Sequence, residues 1–307
     1  MEHIYDVIMI GGGPGGYTAA LYTARAGLDV LVLEKLSAGG QMALTSEIDN
    51  YPGFENGVDG FELAGKMQVG AERFGAKTKL AEVYSVELKD KIKKVDTSEG
   101  VFYGKTVVIS TGAAPRELGL EQESSLVGRG VHYCAACDGM FFRGKKVAVV
   151  GGGNSAAADA MLLSRICEKV TVVHRRDTLR ATKIYHEPLM QAENVDFAWD
   201  SVITELCYED GFRGVKLKNV KTGEETELAC DGIFISVGRK PVTEFLAGQV
   251  ETDVSGYIIA DESTRTSLPG VFAVGDVRTK ALRQIVTAVA DGATASHYID
   301  EYLAEWK

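Results

Sequence analysis

Two glycine-rich loops with a Cys-x-x-Cys between them constrain this chain more than any other feature. The loops are Gly11-Gly12-Gly13-Pro14-Gly15-Gly16 and Gly151-Gly152-Gly153-Asn154-Ser155-Ala156, and the pair is Cys134 and Cys137, followed by Asp138. Each loop lies where an apolar, strand-like run gives way to an Ala-rich, helix-prone segment. Glycines in that setting let the backbone approach a pyrophosphate, and the helix N-terminus supplies N–H groups and partial positive charge. A lone loop of this kind is weak evidence. Two in matching context, flanking a dithiol, describe an electron path from a nicotinamide through a flavin to a disulfide.

The surroundings of the loops repeat. Residues 5–10 read as a strand, 14–26 as a helix ended by Gly27, and 28–33 as a second strand ending at Glu34. The same order recurs over residues 146–150, 154–166 and 169–173, ending at His174. Each copy continues into alternating strands and closes on a Ser-x-Gly, at residues 110–112 and 236–238. Two copies of one nucleotide-binding unit account for this more economically than two unrelated α/β segments. Near the C-terminus, residues 271–274 read as a short buried strand running into Gly275-Asp276, and Arg283-Gln284 open a helical segment.

The residue that ends the second strand distinguishes the copies. Glu34 suits ribose hydroxyls and repels an extra phosphate, as FAD binding requires. The second copy has His174, Arg175 and Arg176 there, with Arg180 four residues on. Clustered guanidiniums bind a 2′-phosphate through charge-assisted bonds, which points to NADPH over NADH.

Cys134 and Cys137 can close a short redox disulfide, and Asp138 is placed to move a proton for it. Half of a zinc site is the competing reading, but Cys167, Cys207 and Cys230 are scattered and read as core residues. His132 is the one histidine near the pair; a lone loop histidine is usually unremarkable. Met140-Phe141-Phe142 read either as core filling or as an apolar docking patch.

At 307 residues the chain is long enough for two buried cores. A net charge of -10 without a basic run argues against nucleic acid. No signal peptide or membrane-length apolar run is evident, so a cytoplasmic protein is expected. Five cysteines are too few and too scattered for a disulfide framework, and in a reducing compartment the close pair reads as catalytic.

Taken together, these motifs resemble the low-molecular-weight thioredoxin reductases over essentially the whole chain. The resemblance rests on residues 11–16, Gly39-Gly40-Gln41, Tyr51-Pro52-Gly53, Thr111-Gly112, 134–139, 151–154, 174–180, Gly275-Asp276-Val277 and Arg283-Gln284. It implies an α/β fold of two Rossmann-like dinucleotide-binding domains, the second inserted into the first. Residues 1–114 and 242–307 would form an FAD domain, and 115–241 an NADPH domain carrying the dithiol. FAD would be held by Gly11, Gly13, Pro14, Gly15, Gly16, Glu34, Lys35, Gly40, Gln41, Asn50, Thr111, Gly112, Gly275, Asp276, Arg283 and Gln284. NADPH would be held by Gly151, Gly153, Asn154, Ser155, His174, Arg175, Arg176 and Arg180. The family further implies a homodimer that passes electrons to thioredoxin. Ala136, Met140 and residues 157–159 depart from the family pattern. A ferredoxin donor, a peroxiredoxin-type substrate and a non-catalytic flavin sensor are the alternatives; the arginine cluster speaks against the first.

Overall fold

A computed structural model describes residues 3–45 and 47–306. The chain forms two compact units, Met1–Ala114 with Lys240–Lys307, and Pro115–Arg239.

The first unit opens with β1 (Ile4–Ile10), α1 (Pro14–Arg25) and β2 (Val30–Glu34). Residues 7–10 and 30–33 are unbroken apolar runs and fully buried, as parallel strands covered on both faces require. Helix α2 (Gly60–Glu72) starts where the Asp59 side chain accepts the Glu62 N–H at 2.8 Å. Then come β3 (Lys77–Leu80) and a meander, β4 (Val83–Glu87), β5 (Lys93–Thr97) and β6 (Gly100–Ile109). Strand β7 (Ala113–Pro115) leads out of the unit.

The second unit runs β8 (Val131–His132), α3 (Ala135–Asp138), β9 (Lys146–Val150), α4 (Asn154–Ser164) and β10 (Lys169–Val173). It continues with α5 (His186–Gln191), β11 (Val195–Ala198), β12 (Ser201–Glu209), β13 (Gly211–Asn219), β14 (Glu225–Ala229) and β15 (Gly232–Ile235). Strand β16 (Arg239–Pro241) returns to the first unit, which ends with β17 (Val271–Ala273) and α6 (Ile285–Ala304).

The first sheet is ordered β3-β2-β1-β6-β5-β4, with β17 also on β6. Strand β6 serves two partners on one side: residues 100–104 pair antiparallel with β5 and 107–109 parallel with β17. The second unit has a parallel sheet, β11-β10-β9-β15-β8, and a separate antiparallel β12-β13-β14. Four consecutive strands correspond between the units, β3-β2-β1-β6 with β11-β10-β9-β15. The fifth does not: β17 comes from the chain's end, whereas β8 precedes the glycine loop of its unit. Nothing in the sequence repeat signals β8, which has only two residues.

Helices α1 and α6 pack closely in the first unit. A Cβ on Gly292 would lie 2.3 Å from the Gly15 carbonyl oxygen, so only glycine permits this approach. Each unit also ties down both connecting segments at its own edge. The Val242 N–H donates to Gly112 O at 3.1 Å in the first, and the Arg116 N–H to Gly238 O at 3.0 Å in the second. Among the described residues no helix is long and apolar enough to cross a membrane.

Candidate active site

The two glycine loops have the same architecture. Gly11 and Gly151 turn at φ values of +102° and +140°, and a Cβ at either would fall within 2.7 Å of the carbonyl oxygen of Ser110 or Ser236. The residue ending the following strand then lies against the middle glycine. In the first unit the Gly12 N–H donates to Glu34 Oε2 at 2.6 Å. In the second, the His174 ring lies against Gly152, so that a Cβ there would meet the imidazole at 2.4 Å. The next loop closes over each: the Gly39 N–H donates to Gly12 O (2.7 Å), and the Arg180 and Ala181 N–H groups to Gly152 O (2.7 and 3.0 Å).

Both loops fit a dinucleotide phosphate. Gly13 and Gly153 are the N-caps of α1 and α4; neither helix has a side-chain cap or an acidic residue in its first turn. Their first-turn amides are thus available to an anion. In the first unit, burial pushes the Glu34 carboxyl up, partly offset by the N–H groups of Gly12, Lys35 and Leu36. Lys35 itself is exposed and paired with Glu82 at 2.7 Å. Asn50 and Gln284, 234 positions apart, are joined by an Nδ2–H···Oε1 bond of 3.0 Å. Gln284 is also the N-cap of α6, in a capping box with Thr287. The Thr111 hydroxyl donates to Val242 O at 2.6 Å, next to Gly112. Arg283 stacks over the Tyr257 ring at 3.9 Å and donates through Nε to Asp276 O. Gly40 and Gln41 lie in the short 3-10 turn Gly40–Leu44, with Gln41 exposed.

The second unit separates the basic cluster. Arg175, Arg176 and Arg180 are exposed beside the loop, whereas His174 is only 5 % exposed and its Nε2 has no partner. Burial, followed by the charges of Arg180, Arg176 and Arg175, pushes the imidazole down, so it is neutral near pH 7. His174 therefore supports the loop from beneath, while the three arginines face outward. Asn154 Oδ1 accepts the Thr182 N–H at 2.8 Å, and Ser155 is exposed.

Cys134 and Cys137 form a disulfide with Cα atoms 5.3 Å apart, and both are partly buried. Cys134 is the N-cap of the single turn of α3 and Cys137 lies within it; the Cys137 and Asp138 N–H groups donate to Cys134 O at 3.2 and 3.0 Å. The neighbouring apolar triplet is split: Phe142 is core, whereas Met140 and Phe141 remain 46 % and 39 % exposed. The other three cysteines are free. Burial pushes Cys167 up to about 11 and Cys230 to about 12, and Cys207 is also raised. Cys167 and Cys230 are buried as expected of core residues, whereas Cys207 is only half-buried.

Two features escaped the sequence reading. His132 is buried, and its Nδ1 lies 2.8 Å from Asp138 Oδ2. In the first unit, Asp291 of α6 accepts from Arg278 Nε (2.9 Å), Arg278 Nη2 (2.7 Å), Lys280 Nζ (2.7 Å) and the Gly275 N–H (2.8 Å). This buried triad anchors the Gly275-Asp276 turn. The one available signal was an aspartate within an Ala-rich helix.

Two Rossmann-type units, one bearing a Cys-x-x-Cys disulfide, define a nucleotide-linked disulfide oxidoreductase. Residues 5–292 match the family described as pyridine nucleotide-disulphide oxidoreductase, and the chain belongs to it. It is 46% identical over 307 residues to a thioredoxin reductase of Streptomyces coelicolor, covering 99% of this chain and 95% of that one. It is likewise 46% identical to a thioredoxin reductase of Listeria monocytogenes, over 100% and 96% of the two chains. The crystal structure of thioredoxin reductase from Streptococcus pyogenes matches with a TM-score of 0.91 at 46% identity, covering 100% of both chains.

Proposed function

We infer that the chain is an NADPH-dependent flavoprotein that reduces thioredoxin through the Cys134–Cys137 pair. The observation that carries this reading is the disulfide on one glycine-loop unit of a chain that has two. Full-length similarity to thioredoxin reductases supports it. FAD, when bound, supplies a two-electron carrier, and NADPH supplies the hydride.

This chain's residues do the rest. The amides after Gly13 would hold the FAD phosphates, the turn at Gly275-Asp276 the ribityl–phosphate arm, and Glu34 the ribose. Gln41, Asn50, Arg283 and Gln284 would line the flavin site. Amides after Gly153 take the NADPH pyrophosphate, and Arg175, Arg176 and Arg180 take the 2′-phosphate. Cys134 and Cys137 exchange disulfide with thioredoxin, and Asp138 moves the proton. Met140 and Phe141 give the partner an apolar edge to dock on. A ferredoxin donor would leave the three arginines without a purpose.

The protein is cytoplasmic in this reading, where its partner is recycled. It is also a homodimer: Phe61 and Val69 on α2 are 67 % and 65 % exposed, apolar surface that a second copy would cover. Light scattering after gel filtration should give twice the 33.0 kDa chain mass; a single-chain mass would remove this part.

The function is tested by thioredoxin-dependent NADPH oxidation. The purified protein should release FAD on heating and turn over. Cys134→Ser and Cys137→Ser should each abolish turnover while NADPH still bleaches the flavin. Normal thioredoxin reduction by either variant would overturn the electron path.

A further inference from the structure

The dithiol's proton carrier is held by a residue from a different element. His132 ends β8, whose pairing with β15 sets it in register with Phe234. Its ring is tilted against Phe234 (5.3 Å between centroids) and edge-on to Phe142 (4.9 Å). With 5 % of its surface exposed, the ring is packed between these two phenylalanines. Its Nδ1 meets Asp138 Oδ2 at 2.8 Å. An ionised carboxylate only accepts, so Nδ1 carries the hydrogen in that state. Asp138 is therefore fixed at both ends: its backbone N–H is bound to Cys134 O, and its side chain is bound to the sheet. A short helical turn alone would leave that side chain its usual rotamers.

We propose that His132 is a positioning residue that holds Asp138 for proton transfer at the Cys134–Cys137 pair. The proposal rests on the thioredoxin-reducing reading for its physiological substrate, but the proton step belongs to any thiol–disulfide exchange at this pair. When the dithiol reduces a partner disulfide, it loses two electrons and two protons. The electrons break the partner's S–S bond as the Cys134–Cys137 bond forms, and the partner's two sulfurs take up the protons. Asp138 carries one of them. Its carboxylate takes a proton from a cysteine thiol as that sulfur attacks, then gives it to the departing sulfur. His132 occupies Oδ2 throughout, which leaves Oδ1 as the oxygen that receives the proton. Held in this way, the carboxylate loses no time to reorientation.

Two replacements separate positioning from packing. In His132→Asn the amide Nδ2–H falls near the place of Nδ1–H, so the bond to Asp138 is kept. In His132→Phe the ring remains but the donor is lost. Opening of the Cys134–Cys137 disulfide by dithiothreitol, followed by rapid alkylation and mass spectrometry, reads the step without relying on the flavin or NADPH. His132→Phe should slow opening about tenfold, and His132→Asn should recover most of the loss. With NADPH and thioredoxin, His132→Phe should lower kcat by a similar factor and leave the KM for thioredoxin unchanged. A His132→Gln variant, whose amide is displaced by one methylene, should not recover the rate, and it keeps the comparison decisive if the phenylalanine variant fails to fold. Equal opening rates in the Asn, Gln and unmodified proteins would overturn the proposal. Loss of NADPH-to-thioredoxin turnover in the unmodified protein, with opening rates ordered as expected, would overturn the functional reading and leave the positioning role standing.

Discussion

Arg175, Arg176 and Arg180 are exposed beside the second glycine loop, and the buried, neutral His174 lies beneath it. In the proposed function, cofactor choice belongs to the arginines. Losing a charge-assisted contact costs about 1.5–3 kcal/mol, or roughly tenfold and more in affinity. Arg175→Ala with Arg176→Ala should raise the KM for NADPH by at least that factor and leave the KM for NADH nearly unchanged. Steady-state kinetics with both nucleotides checks this. Asp291 poses a different residue-scale question. Burial alone would push its carboxyl up, but hydrogen bonds from Arg278 and Lys280 outweigh it and hold the group below its ordinary value. A depressed folded pKa stabilises the fold above the unfolded value, about pH 4, and that contribution is lost as pH falls through the lower folded value. Asp291→Asn leaves two buried cations without their counter-charge, at a cost of about 3–5 kcal/mol. Urea unfolding at pH 7 should show that loss, and the difference from the unmodified protein should shrink on acidification below about pH 4.

At the scale of elements, α6 and α1 approach through Gly292 and Gly15. Alanine at a helical glycine usually adds about 0.5–1 kcal/mol through propensity. Here the added Cβ would press on the Gly15 carbonyl, and overpacking against backbone costs about 1–3 kcal/mol. The second effect is larger, so Gly292→Ala should lower the urea midpoint and, because Gly15 belongs to the first glycine loop, weaken FAD retention. Flavin content after dialysis checks the second part. The strand–turn–helix pattern of each unit was legible because apolar runs, Ala-rich segments and turn glycines are local features. Edge strands β8 and β17 are fixed by partners far along the chain. Strand β8 has two residues, too short to show any periodicity of its own. Yet its pairing with β15 is what sets His132 within reach of Asp138.

For the whole molecule, the chain crosses between the two units at β7 and β16. Segments β7 and β16 pair with each other as a two-stranded ribbon. In the proposed cycle the dithiol and the nicotinamide both belong to the second unit, and both need the flavin held by the first. Hydride transfer and thiol attack each demand close, aligned contact, so the two must take turns. Hinge rotation about the ribbon is the expected solution. An engineered cross-link that locks the dithiol against the flavin should stop flavin reduction by NADPH in stopped-flow mixing. A small dithiol should still reduce the flavin in that form. Rapid reduction by NADPH in the verified locked form would mean that no rotation is needed.

By itself the sequence determined two nucleotide-binding α/β units and a dithiol with disulfide spacing, because each rests on residues within one turn or one strand of each other. Tertiary structure decided which side chains meet. It buried His174 under Gly152 and turned the arginines outward. It split Met140-Phe141-Phe142 between surface and core. It also joined Asn50 to Gln284, Asp291 to Arg278 and Lys280, and His132 to Asp138. The physical reason is that burial and long-range hydrogen bonds depend on how strands register and helices pack, and no local pattern encodes the partner's position.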